Sequence, residues 1–226
     1  MSTAALIEPE ALGLGQAART VADLLEELGG IAPERVRLHP LPGEATANDL
    51  IENNDVRKDF RCELIRGTLV EKAHMSHVEN SYTTVIAFYL HAYLMRTRLG
   101  KGFTEGAMYA LLGGDIRLPD FTVCLNDKFP TGKVPRVSYV EFAPDLALEV
   151  LSKSNTAKEI RSKREILFAS GTKLIWVLNP ATRTVDIYTS VDNPITLTEA
   201  DVLTGGNVLP GFELSIADWF REAEEV

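Results

Sequence analysis

Cysteine and histidine are both scarce, with two and four copies in 226 residues. Cys62 and Cys124 lie in separate strand-like runs without CxxC spacing, which predicts buried free thiols and argues against a disulfide or thiol redox chemistry. His74 and His77 are close enough to suggest a zinc pair, but no later His/Cys cluster completes four ligands. Long apolar runs are missing too. No stretch approaches the roughly 20 residues that span a bilayer, and the opening MSTAALIEPEALG has no basic segment followed by an apolar one. A cytoplasmic protein without membrane contact is therefore expected. Positive charge is in deficit, with 23 Lys and Arg against 32 Asp and Glu, a net charge of −9. That balance argues against a chain whose whole surface holds nucleic acid, because phosphate affinity rests on cations. It leaves room for a nuclease, where metal ions neutralise local acids and a basic rim suffices. No Gly-rich phosphate cradle and no nucleophilic Ser or Cys motif occurs, which disfavours other phosphate-ester hydrolases.

What the chain does contain is an α/β pattern without internal repeats. Residues 1–45 read as a short helical N-terminal extension and linker: TVADLLEELGG has Thr20 as N-cap and a Gly pair as its stop, and the Pro-dotted APERVRLHPLPGEAT follows. The main domain, 46–226, opens with a second short helix capped by Thr46, and FRCELIRGTLVEK reads as a hairpin about Gly67. Val78, Val85, Ile86, Tyr89, Leu90 and Tyr93 have helical spacing and predict a long helix closed by Gly100. GFTEGAMYALL and IRLPDFTVCL read as one strand pair, with Pro119 tolerated at an edge or bulge. After a loop rich in Pro, Lys and Gly come strand DLALEVLS, helix NTAKEIRSKREILFAS and strands KLIWVLN and TVDIYTS. The strand–helix–strand unit predicts a right-handed crossover between parallel strands. Trp176, between Ile175 and Val177 in a short buried strand, reads as core rather than as a base-stacking platform, and Trp219 as a cap on the core.

Charge in apolar company marks the candidate site. Strand alternation puts Asp145, Ala147, Glu149 and Leu151 on one face and Leu146, Leu148 and Val150 on the other. A strand feeding a crossover helix is covered on both faces, so Glu149 needs a partner or solvent at its strand end. On the next helix Ala157, Ile160, Leu167 and Gly171 mark the inward stripe, Lys163 and Arg164 fill its gap, and Lys158, Glu159, Arg161, Ser162 and Glu165 fall outward. An inward lysine either snorkels to water or meets an acid. Asp120, in RLPDFTV, is a second acid among apolar neighbours, though a turn would also explain it. Two strand acids and a helix lysine suit metal-assisted phosphodiester cleavage, with oxygen ligands for Mg²⁺ and an ammonium to orient water.

The blocks CELIRGTLVE, IRLPDFTV, APDLALEVLSKSNTAKEIRSKREILFASGTKLIWVLNPATRTVDIY and LPGFELSIADWF resemble, in order, the Uma-two family of endonucleases, within the PD-(D/E)XK restriction-endonuclease-like superfamily. The resemblance runs from about residue 46 to 222. It implies a restriction-endonuclease-like core, a mixed central sheet flanked by helices, and a Mg²⁺- or Mn²⁺-dependent nuclease acting on DNA, with a homodimer left open. It puts the PD signature on Pro119 and Asp120 and the next acid on Glu149. Leu151 stands where the usual motif has lysine, and the following helix supplies Lys163 instead. By the same resemblance Asp120, Glu149 and the Val150 carbonyl would bind metal, with Glu79 as an accessory ligand. Glu63 would line the site, Arg164 would touch phosphate, and His77 stands near the position where many relatives have histidine. A non-catalytic DNA-binding or protein-interaction module on the same fold is the rival reading.

Overall fold

The computed structural model describes residues 18, 20–56 and 60–226; the stretch MSTAALIEPEALG lies outside the described residues. In chain order the elements are α1 (Val21–Glu27), α2 (Ala47–Val56), β1 (Cys62–Ile65), β2 (Thr68–Glu71), α3 (His77–Thr97), β3 (Gly100–Thr104), β4 (Met108–Ala110), β5 (Ile116–Arg117), β6 (Phe121–Leu125), β7 (Tyr139–Val140), β8 (Leu146–Val150), α4 (Ala157–Ala169), β9 (Leu174–Asn179), β10 (Thr184–Tyr188), β11 (Ile195–Leu197), β12 (Val202–Gly205), β13 (Leu209–Ser215) and α5 (Ile216–Glu224).

Six strands form the central sheet, in the order β11-β10-β9-β8-β6-β3, with β8 and β9 parallel across α4 as the crossover reading requires. Its even-numbered β8 residues, Leu146, Leu148 and Val150, pack with Trp176 against α3, β13 and α5. Ala147 faces the other way, toward α4, with Ile175, Val177, Ile160 and Leu167. Trp176 and Trp219 are both fully buried in the first of these cores. Among the described residues no helix is long and apolar enough to cross a membrane.

The single strand pair expected between residues 100 and 125 is instead four strands shared by two sheets. β3 and β6 pair within the central sheet, whereas β4 and β5 pair within a five-stranded sheet ordered β2-β1-β5-β4-β7. Two breaks cause the split. Gly106 turns the chain at φ +106°, and Pro119, which has no N–H to give a ladder, separates β5 from β6. The long helix also ends earlier than expected, at Thr97, with Arg98 as a left-handed cap at φ 58°. Gly100 begins β3 and lies so close to the Cys124 carbonyl that a side chain there would collide with it.

The β1–β2 hairpin sits where the sequence puts it, closing through Arg66 and Gly67, both at positive φ (48° and 69°). A Cβ on Gly67 would lie 2.6 Å from the Gly43 carbonyl oxygen, which the linker lays across this turn. Gly67→Ala is therefore expected to cost about 2 kcal/mol from backbone conformation and that clash. A lower urea midpoint at unchanged slope is the readout; an unshifted midpoint contradicts it.

Of the N-terminal segment, residues 24–45 pack on the β1–β2 hairpin. Arg37 N–H donates to Leu69 O at 2.9 Å, Ala45 N–H to Gly67 O at 2.8 Å, and Leu28 and Ile31 pack on Ile65 and Val70. Gly29 presses so closely on α4 that a Cβ would lie 2.8 Å from the Glu159 Cα.

Candidate active site

Asp120 follows the Pro119 break, and its own backbone aims it. Its N–H donates to Leu148 O at 3.1 Å, and its Oδ2 accepts the Val150 N–H at 2.8 Å, which fixes the carboxylate beside the end of β8. Glu149 leaves that end toward α4, following the alternation that sends Ala147 there. α4 starts with a Thr156–Glu159 capping box and runs its buried stripe through Ile160, Lys163 and Leu167. Lys163 Nζ thereby comes 2.8 Å from Glu149 Oε1 and 3.0 Å from Glu63 Oε1, the latter delivered by β1. Asp120, Glu149, Lys163 and Glu63 are 3, 6, 6 and 7 % exposed.

Three further cations complete the arrangement, and the sequence reading had missed all of them. Lys72 Nζ lies 2.9 Å from Asp120 Oδ1 and 3.5 Å from Glu105, and donates to Leu118 O at 2.7 Å. Arg117 donates to Asp115 Oδ2 at 2.8 Å and to Glu63 Oε2 at 3.3 Å. Arg35, from the N-terminal segment, forms a bidentate pair with Glu159 at 2.6 and 3.1 Å and donates to Glu71 O at 2.8 Å. Glu159 is consequently buried, although the helix pattern put it outward. Of these, Lys72 had a usable signal: the hairpin register pairs Glu63 with Val70, and alternation returns Lys72 to the same face. Arg35, Lys72, Asp120, Glu149, Val150 and Lys163 line one cleft whose enclosed space is about 20 Å³, room for a water-sized occupant.

Other residues named from the resemblance lie elsewhere. Glu79 accepts the Ser76 N–H at 2.6 Å in the capping box of α3 and does not line the cleft. His77 is exposed at the first turn of α3. The Arg164 guanidinium stacks 4.0 Å over the Tyr188 ring and donates to Val191 O at 3.2 Å, on a side of α4 away from Glu149.

More carboxylates than cations meet in this small space, so they do not share one protonation state. For Glu63, burial is the largest influence and opposes charge, but Lys163, Arg117 and Lys72 together outweigh it and hold the carboxyl down at about 2. For Glu149, burial is again largest and, with Asp120 adding repulsion, pushes the carboxyl up to about 8 despite Lys163. Lys163 is drawn above its ordinary value because Glu149 and Glu63 overcome the opposing effect of burial. The consistent assignment is an ammonium at Lys163, a carboxylate at Glu63 and a readily accepted proton at Glu149.

A pH dependence follows. With Glu149 at about 8 in the fold against 4.5 ordinarily, the folded state keeps a proton that the unfolded state releases between those values. Its contribution to stability is thus complete below 4.5 and is lost as pH rises toward 8. Glu63 acts oppositely: its contribution is complete above 4.5 and is lost as pH falls toward 2. Between pH 4.5 and 8, Glu149→Gln should flatten the decline in metal-free thermal stability; an unchanged slope contradicts the assignment.

The donor set fits a divalent cation in kind. Carboxylate and carbonyl oxygens suit Mg²⁺ or Mn²⁺. Glu149 Oε1 is a buried oxygen to which no group directs a hydrogen bond, since Lys163, although 2.8 Å away, is off the bonding direction. Among the described residues, however, no group of three or more His, Cys, Asp or Glu side chains is arranged to hold a metal. Asp120 and Glu149 would have to be completed by backbone oxygen and water.

A solved structure from Anabaena variabilis, described as "a putative nuclease belonging to DUF820", superposes with a TM-score of 0.65 at 18% identity, over 72% of this chain and 91% of that one. The likeness establishes a shared mixed α/β fold. No curated protein is similar to the chain. The model of the Uma2 family, described as "Putative restriction endonuclease", matches residues 48–217, and the chain belongs to that family.

Proposed function

We propose that the protein is a metal-dependent endonuclease that hydrolyses phosphodiester bonds in DNA. The observation that carries this reading is the convergence of Glu149 and Glu63 on Lys163 in a cleft that Asp120 and its partner Lys72 also line. Asp120, Glu149 and the Val150 carbonyl would hold Mg²⁺ or Mn²⁺. The bound ion would supply charge to polarise the phosphate and acidify a water.

Each side chain then has a task. Glu63 fixes the Lys163 ammonium from below while Arg117 and the Leu118 N–H fix Glu63, so Lys163 enters the cleft preoriented. Its N–H groups can hold a water oxygen in line with the phosphorus and offset the negative charge that develops there. As the water oxygen bonds to phosphorus, the P–O3′ bond breaks, and the proton the water gives up is balanced by one taken up by the departing O3′, leaving a 5′-phosphate and a 3′-hydroxyl. Lys72, already paired with Asp120, adds positive charge where the phosphate enters. A binding module without cleavage is the second reading, favoured by one observation: Lys72 and Lys163 already compensate the two acids.

Cleavage assays on single-stranded, duplex and branched DNA with Mg²⁺, Mn²⁺ or EDTA separate the two readings. Metal-dependent cutting that Asp120→Asn abolishes supports the nuclease. Binding without any cutting in either metal supports the module and overturns the enzyme.

A further inference from the structure

A second concavity lies on the same face of β6 as the proposed metal-binding acid. Asp120 immediately precedes that strand, in which Thr122 and Cys124, two residues apart, point to the α4 side where Asp120 and Glu149 line the cleft. Thr122 meets the Tyr109 hydroxyl at 2.5 Å, and Cys124 forms a wall of the concavity. At about 3.3 Å per residue, that wall is about 13 Å from Asp120.

The space is about 190 Å³ and is walled by Phe103, Phe129, Phe142, Tyr109 and Tyr139. An apolar cavity of about 150 Å³ is already enough for benzene. Burial pushes the Cys124 thiol up to about 12, which removes it as a nucleophile and leaves it as wall. The mouth carries Val134 and Val137, 46 and 61 % exposed, on the loop between β6 and β7. This loop is basic in an acidic chain: NDKFPTGKVPRVS has Lys128, Lys133 and Arg136 against Asp127 alone. Lys128 Nζ sits 5.8 Å from the centre of the Phe142 ring. The turn that carries Glu105 to Lys72 continues directly into Gly106 and Ala107, which line the concavity, so its rim adjoins the cleft.

We propose that this concavity receives a nucleobase from a single nucleic-acid strand whose backbone continues into the Asp120–Glu149 cleft. The inference rests on the nuclease reading and narrows its substrate to single-stranded or frayed nucleic acid. Stacked duplex bases cannot enter a ring-sized space, whereas a splayed base can stack on aromatic walls while loop cations hold its phosphates. The pocket and the loop combine the two features of single-strand binding, an aromatic platform and a local cationic track.

The test uses a short single-stranded oligodeoxynucleotide carrying 5-iododeoxyuridine, bound to the wild-type protein in EDTA, irradiated and mapped by mass spectrometry. Anisotropy with the same oligonucleotide and with a matched duplex accompanies it, for wild type, Ala107→Leu to fill the space and Phe142→Ala to remove a wall. Crosslinks within residues 103–109 or 129–142 are expected, with single-strand affinity lowered about tenfold in both variants and duplex affinity unchanged. Crosslinks confined elsewhere overturn the proposal, as does wild-type affinity in both variants. If wild type cuts DNA with Mn²⁺ but crosslinks only outside the pocket, the base site fails and the nuclease stands. Crosslinks in the pocket without cutting in any metal uphold the base site and overturn the enzyme.

Discussion

Lys163→Met is expected to reduce metal-dependent cleavage by about 10²–10³-fold or more while the protein stays folded. Methionine nearly matches the lysine stem in length, so the packing against Ile160 and Leu167 survives and only the ammonium is lost. Without it, Glu149 can take up a proton, toward which burial already drives it. Glu63 keeps Arg117 and the Leu118 N–H at 2.8 Å. The stability cost should therefore be below the about 3–5 kcal/mol typical of breaking a buried pair. Circular dichroism and urea titration check the fold, and single-turnover cleavage checks the chemistry. Retained cleavage would remove Lys163 from the mechanism; collapse of the fold would make its role structural.

Arg117→Met should show the reverse pattern, with stability suffering first. Arg117 is 3 % exposed and bonds both Asp115 and Glu63, themselves 6 and 7 % exposed. Asp115 has little alternative: its other oxygen already accepts the Arg66 N–H at 2.8 Å. Removing the guanidinium leaves two buried carboxylates undercompensated, at a cost of about 3–5 kcal/mol. For a domain whose whole margin is about 5–15 kcal/mol, that is a large fraction. Arg117→Lys should recover only part of the loss, because one ammonium does not reproduce the fork that spans both acids. Adding Asp115→Asn to Arg117→Met should restore part of it, a non-additivity that a double-mutant cycle reads directly. Equal stability of Arg117→Met and wild type in urea would show that the buried network is not structural.

The parts of the site that were legible in the sequence are local in the chain. Glu149 and Lys163 belong to consecutive elements, and a period-two strand feeding a period-3.6 helix leaves few ways to face them. Asp120 was legible because aspartate after proline in an apolar strand is out of place. Lys72 was legible in principle, through the hairpin register about Gly67. Arg117 and Arg35 were not. Arg117 sits in a two-residue strand too short to show alternation, and Arg35 reaches Glu159 across 124 positions in sequence. That long reach also explains why Glu159 looked exposed, since a helix pattern cannot register cover supplied by a distant segment. The division of residues 100–125 between two sheets escaped for a similar reason. Gly106 and Pro119 signal breaks, but which strand pairs with which is decided by β1 and β8, far off in sequence.

The account turns on Asp120 and Glu149 sharing one cation beside Lys163, and anomalous diffraction from a crystal soaked in Mn²⁺ above pH 8 tests it most directly. The expected result is a manganese peak bridging the two carboxylates, lost in Asp120→Asn. A fully soaked crystal with no peak in the cleft, or with manganese only on exposed carboxylates elsewhere, would contradict it.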